Sequence, residues 1–135
     1  MRKGYKQLVA EANSVIETIQ AAEAMEQLSS EEVTFIDIRE LPELERDGKI
    51  PGAVHAPRGS LEFFADPESP SHKEVFTSGK KLILYCASGL RSALAAQRLQ
   101  EMGLHRVAHV GGGMKAWKEA NGPVEAAIVS LTVDK

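Results

Sequence analysis

Lys81-Leu82-Ile83-Leu84-Tyr85-Cys86-Ala87-Ser88-Gly89-Leu90-Arg91-Ser92 is the stretch that decides the fold. Its first five residues form a short apolar run, as expected of a strand buried on both faces of a sheet. Cys86 follows at once, then three small residues. From Leu90 to Met102 the residues are good helix formers, presenting Ala95, Leu99 and Met102 on one face before Gly103 ends the helix. A buried strand passing directly into a helix is the unit of a parallel sheet with helical crossovers.

The pattern repeats on either side. Val33-Thr34-Phe35-Ile36-Asp37-Ile38 is a second β-rich run and leads into Arg39; Pro42 then fits the first turn of a short polar helix that Gly48 ends after Asp47. Ile50-Pro51-Gly52 reads as a turn, Ala53-Val54-His55-Ala56 as a short strand, and Pro57-Arg58-Gly59 as a loop before a helix at Leu61–Ala65. The stretch from Asp66 to Ser71 is surface loop, and Arg106–Val110 is the last strand. Gly111-Gly112-Gly113 then turns the chain into a short helix containing Trp117, closed by Asn121-Gly122-Pro123. It lacks the spacing of a phosphate-binding glycine loop, and Trp117 reads as core. Near the start, Leu8, Ala12, Val15, Ile16 and Ile19, then Ala22, Met25 and Leu28, recur at helical spacing. The β-branched patch from Val15 to Ile19 nevertheless favours a short strand between two helices. Val124–Asp134 is apolar enough to dock as a strand or a helix. In a sheet of this kind ligands bind at the carboxyl ends of the strands, the rim that carries Asp37-Ile38-Arg39 and Cys86.

Composition bounds the function. The 135 residues suit one domain, 1–135. A net charge of −3 gives no general attraction to nucleic acid or to an anionic membrane. One cysteine excludes an internal disulfide, a multi-cysteine zinc cage and a Cys-x-x-Cys couple. His55 reads as a packed strand residue, and His72, His105 and His109 have no metal-ligand spacing, so neither metal nor cofactor is expected. No apolar run approaches the roughly 20 residues of a membrane span, and Met1-Arg2-Lys3 is followed by no signal-peptide core, so the expected location is cytoplasmic.

The chemistry is expected in the loop. Backbone N–H groups at a helix start have no intrahelical acceptor, so a loop curled round Cys86 can aim donors at its sulfur or at an anion. With Arg91 adding charge, the thiol is expected to fall below its ordinary value of roughly 8.5. Gly89 suits a turn needing positive φ or close backbone approach.

At these residues the chain resembles the rhodanese family of sulfurtransferases. The likeness rests on Cys86 to Ser92, on Asp37-Ile38-Arg39 followed by Gly48-Lys49-Ile50-Pro51-Gly52-Ala53, and on Gly111-Gly112-Gly113-Met114 with Trp117. It implies an α/β fold, a single rhodanese-like domain with a core at about 16–122, an N-terminal helical extension and a C-terminal tail, and a five-stranded parallel sheet flanked by helices on both faces. It further implies transfer of sulfane sulfur from a small anionic donor such as thiosulfate to Cys86, then to cyanide, a thiol or a protein acceptor. Lys49 stands where the family often has histidine, in a turn removed from the chemistry. Leu90 replaces a polar contact in the loop and loosens the expectation of thiosulfate as donor.

The site is expected to comprise catalytic Cys86 and the loop residues Ala87, Ser88, Gly89, Leu90, Arg91 and Ser92. Asp37 would accept hydrogen bonds from the loop or an arginine, Arg39 would add positive potential at the mouth, and Arg58 is a third candidate basic group. The competing readings are a persulfide carrier or regulatory module with little turnover and, more distantly, a cysteine phosphatase or arsenate reductase. Four residues separate Cys86 from Arg91, one fewer than in tyrosine-phosphatase-type loops, and only Asp66 or Glu68 in the surface loop offers a leaving-group acid.

Overall fold

The computed structural model describes residues 1–127. Five strands, β1 (Glu17–Ile19), β2 (Val33–Asp37), β3 (Val54–His55), β4 (Lys81–Tyr85) and β5 (Val107–Val110), form one sheet in the order β1-β5-β4-β2-β3, each neighbour parallel to the next. Six helices connect or extend them: α1 (Tyr5–Val15), α2 (Ala21–Glu26), α3 (Leu41–Asp47), α4 (Leu61–Ala65), α5 (Leu90–Glu101) and α6 (Gly113–Glu119). The β-branched patch at Val15–Ile19 is indeed a strand, because it pairs with β5 at the sheet edge, Thr18 opposite His109. Parallel pairing brings the carboxyl ends of all five strands to one rim.

Alternation along the strands divides the core in two. Ile36, Leu82, Leu84 and Val107 face α5, Leu61 of α4 and Ala12 of α1. Phe35, Ile83, Tyr85 and Val110 face Ala24 of α2 and Trp117 of α6. Trp117 is fully buried, meets Phe35 edge-to-face at 5.8 Å, and donates its indole N–H to the Pro123 carbonyl at 2.8 Å, so it is core as expected.

Three details differ from the periodicity. Helix α5 stops at Glu101, and Met102 is its C-cap, 40% exposed; Ser92, Ala93, Ala95, Ala96 and Leu99 form the buried face. Leu8 and Val15 of α1 are exposed and Ala12 is the residue it buries. A 3-10 turn at Glu74–Thr77, unannounced by any pattern, buries Phe76. Of the Val124–Asp134 segment, Glu125 forms an antiparallel bridge with Lys49, and the part beyond residue 127 lies outside the described residues.

Candidate active site

Cys86 leaves the carboxyl end of β4 and is 1% exposed. Its Sγ accepts N–H bonds from Gly89 at 3.2 Å and from Ser92 at 3.4 Å, and lies 3.5 Å from the Ser92 hydroxyl. The loop curls because Gly89 adopts φ +95°, and a Cβ there would stand 3.0 Å from the Gly112 nitrogen. The outside of the loop is clamped by the start of α6: the Met114 and Lys115 N–H groups donate to the Cys86 and Ala87 carbonyls at 2.8 and 3.1 Å. Gly113 permits that approach, since at φ +59° its Cβ would lie 2.5 Å from the Cys86 carbonyl oxygen. Backbone donors thus point inward at sulfur while Ser88 and Leu90 are exposed.

Each of the three candidate arginines is paired with a carboxylate. Arg91 sits in the first turn of α5, and its guanidinium is forked onto Glu43 of α3 at 2.8 and 2.9 Å. These hydrogen bonds hold the Glu43 carboxyl down at about 2, against the opposing effect of its partial burial. Arg39 is 1% exposed and bound to Asp37 at 3.0 and 2.8 Å, with a further bond to the Gly48 carbonyl at 2.7 Å. Its guanidinium lies 5.6 Å from the Tyr85 ring. Asp37 accepts an arginine's hydrogen bonds, and the pair braces the end of β2 while Arg39 also lines the pocket beside the loop. Burial pushes the Tyr85 phenol far up; its oxygen accepts the Ile50 N–H. Arg58 is bound to Glu62 at 2.9 Å and lines a surface groove with Leu8, Leu94 and Arg98 that contains no residue of the Cys86 loop.

Beside the loop, at Ala87, is a small pocket of about 170 Å³, lined also by Arg39, Asp47, Met114, Lys115 and Lys118. The larger cavity of about 510 Å³, between α3 and residues 125–127, contains no residue of the loop. Asp66 lies beside Met102 and Gly103 at the far end of α5, about 15 Å along the helix from Ser92, whose N–H meets the Cys86 sulfur. It is not placed to protonate a leaving group.

Residues 20–120 match the model of the rhodanese-like domain. The chain belongs to that family. The rhodanese-like domain described here is 34% identical over 109 residues to YtwF of Bacillus subtilis (strain 168), provisionally named a sulfurtransferase, covering 80% of this chain and 96% of that one. It is 32% identical to YrkF of the same organism, provisionally named a sulfur carrier protein, over 87% of this chain; it spans only 58% of that relative's length. A solved structure from Rhodopseudomonas palustris CGA009, of a protein of unknown function called a possible tyrosine phosphatase, is 50% identical with a TM-score of 0.90, covering 93% of this chain and 96% of that one. A rhodanese-related protein from Thermoplasma volcanium is 30% identical with a TM-score of 0.68, over 82% and 99%. Among the described residues no helix is long and apolar enough to cross a membrane.

Sequence reasoning missed four residues of this rhodanese-like site. Glu43 was one of several acidic residues on a polar helix, with nothing in its spacing to mark it as the partner of Arg91. Lys115 and Lys118 look like solvated charges on the last helix, and only the clamp between α6 and the loop brings them to the pocket. His109 belongs to a buried apolar strand, yet its Nδ1 lies 2.8 Å from Ser92 Oγ and its Nε2 3.1 Å from Thr18 Oγ1. Burial lowers its pKa to about 4, so the ring is neutral near neutral pH.

Proposed function

We propose that the protein is a sulfurtransferase that takes sulfane sulfur from a small anionic donor such as thiosulfate and holds it as a Cys86 persulfide. It then delivers the sulfur to cyanide or a thiol, including the thiol of a partner protein. The observation that carries this reading is the Cys86 sulfur itself, which accepts two backbone N–H bonds inside a loop too small to ring a tetrahedral phosphoryl group. In the first step the Cys86 thiolate attacks the outer sulfur of the donor. A new S–S bond forms, the donor's S–S bond breaks, and sulfite departs with the electron pair. The loop N–H groups stabilise the anionic outer sulfur, while Lys115 and Lys118 at the pocket draw the anion in. In the second step the acceptor attacks that outer sulfur and the Cys86 thiolate is restored. Ala87 lines the pocket, and Ser88 and Leu90 are the exposed side chains of the loop. Asp37 and Arg39 hold the rim rigid, Arg91 anchors α5 to α3, and Arg58 takes no part.

Intact mass after incubation with thiosulfate is the test, with Cys86→Ser as the blank. The reading expects a gain of one sulfur atom, lost on adding cyanide or a thiol. A stable gain with little release would favour a carrier, the role in the name of the relative YrkF. Hydrolysis of an aryl phosphate without any sulfur uptake would overturn both and favour the phosphatase description of the Rhodopseudomonas palustris protein.

A further inference from the structure

A continuous chain of polar atoms runs from the buried sulfur to the sheet edge. Cys86 Sγ lies 3.5 Å from Ser92 Oγ, Ser92 Oγ lies 2.8 Å from His109 Nδ1, and His109 Nε2 lies 3.1 Å from Thr18 Oγ1. Cys86, Ser92 and His109 are at most 2% exposed, whereas Thr18, on the edge strand β1, is exposed. Ser92 and His109 have no other side-chain partners among the described residues, so nothing else fixes the direction of these bonds.

We propose that Ser92, His109 and Thr18 form a hydrogen-bond relay in which the His109 tautomer follows the charge on Cys86, giving the buried thiol proton an exit at the edge strand. In the thiol state the S–H donates to Ser92 Oγ, the Ser92 O–H donates to Nδ1, and Nε2–H donates to Thr18. On ionisation each donor hands its proton one place along. The sulfur proton goes to Ser92, the Ser92 proton to Nδ1, the Nε2 proton to Thr18, and a Thr18 proton to water. The thiolate then accepts from the Ser92 O–H, Nδ1–H donates to Ser92, and the Thr18 O–H donates to Nε2. Every group is bonded in both states, only S–H, O–H and N–H bonds change, and no imidazolium accumulates. The charged groups on β1, β4 and α5, the elements packed around the ring, are all paired: Glu17 of β1 with Lys81 of β4, and on α5 Arg91 with Glu43 and Arg98 with Glu62 and Glu101. His109 therefore positions the Ser92 hydroxyl without touching sulfur.

The relay serves the sulfurtransferase reading, because the attacking species is the thiolate, but it is read without any sulfur donor. Nitrogen-15 NMR of histidine-labelled protein distinguishes the two neutral tautomers. Across a pH titration in which iodoacetamide alkylation of Cys86 tracks the thiolate, His109 of the reduced protein is expected to change from Nε2–H to Nδ1–H as alkylation rises. Ser92→Ala should hold one tautomer throughout. Thr18→Val, at an exposed position, should keep the fold and slow the exchange of the Cys86 thiol proton with water, read by NMR, roughly three- to tenfold, as expected when one hydrogen bond of the exit path is lost. An unchanging His109 tautomer in the native protein while alkylation rises with pH overturns the relay, as does a Thr18→Val protein that behaves as the native one. Sulfur uptake by mass is scored separately. Uptake with a fixed tautomer overturns the relay alone, and a moving tautomer with no uptake overturns the sulfurtransferase reading alone.

Discussion

Acidification isolates His109. The imidazole is 2% exposed, and burial lowers its pKa from 6.5 to about 4. Between these values the unfolded chain binds a proton that the folded one refuses, so stability rises with pH across the window and is lost as pH falls from 6.5 towards 4. At about 1.36 kcal/mol per unit, the full window amounts to roughly 3.4 kcal/mol, of which about 2 is lost between pH 7.5 and 5. Glu43 has the opposite sign and a lower window: its carboxyl falls from 4.5 to about 2, so its contribution is present above 4.5 and fades only below it. Stopping at pH 5 therefore leaves the Glu43 contribution almost intact. Urea unfolding at 25 °C should show the midpoint falling from pH 7.5 to 5 with the denaturant slope unchanged. The His109→Gln protein, which starts less stable because Ser92 and Thr18 lose their ring partner, should be flatter over the same range by about 2 kcal/mol, the value of the missing titration. His55, His72 and His105 are common to both proteins and cancel in the difference. Equal pH slopes in the two proteins, or a native protein whose stability is level down to pH 5, would refute the burial argument.

Gly113→Ala forces a Cβ to within 2.5 Å of the Cys86 carbonyl oxygen at a positive φ, so it should destabilise by about 2–5 kcal/mol. It should also cut sulfur transfer at least tenfold; a stable variant with native kinetics would mean that α6 does not hold the loop. Asp37→Asn leaves the buried Arg39 guanidinium without its counter-charge and should cost about 3–5 kcal/mol in denaturant unfolding, with a loss under 1 kcal/mol counting against the brace. Glu43→Gln removes a half-exposed pair and should cost only about 1 kcal/mol, while releasing Arg91 to lower the KM for thiosulfate several-fold with little change in kcat. An unchanged KM would show that Arg91 does not reach the donor even when unpaired. Lys115→Gln together with Lys118→Gln should raise that KM and flatten its salt dependence without altering Tm; salt dependence identical to the native protein would remove the lysines from donor capture.

The parts of the fold legible in the sequence are those encoded locally. The apolar run Lys81–Tyr85 can only be a covered strand, the small residues after it can only be a tight loop, and Gly89 sits where the backbone needs φ +95°. Cys86 could be assigned to the sheet rim because a strand end and a helix start flank it. What was illegible is set by partners distant in sequence. Arg39 and Arg91 resemble exposed cations at a pocket mouth, and each is neutralised by a carboxylate that spacing alone does not select. For Arg39 that carboxylate is only two residues away, but the buried fork depends on Tyr85 and the Gly48 carbonyl closing over it. For Arg91 it comes from 48 residues away, on another helix. His109 was hidden for a different reason. In a single sequence a histidine in an apolar strand is indistinguishable from a packed one, and only the register that sets Thr18 opposite it, with α5 laid across, shows that both ring nitrogens are engaged.

Pairing the arginines in advance has a chemical consequence. A guanidinium held by a carboxylate contributes little net charge to an incoming anion, so attraction at this rim falls to the backbone donors of the loop and to Lys115 and Lys118. Backbone donors are short in reach and fixed in direction, and the two aimed at Cys86 meet at the sulfur itself. Their stabilisation is therefore greatest for charge located on or one atom beyond that sulfur, and weaker for charge spread over a tetrahedral group farther out. A phosphoryl transition state needs a guanidinium free to close on equatorial oxygens and an acid near the leaving group. Here the Arg91 guanidinium is forked onto Glu43, and Asp66 is at the opposite end of α5. A persulfide needs neither, because its charge sits on a single outer atom and its departure from Cys86 is driven by the acceptor. The arrangement therefore favours sulfur chemistry over phosphoryl chemistry through where its positive charges are already committed.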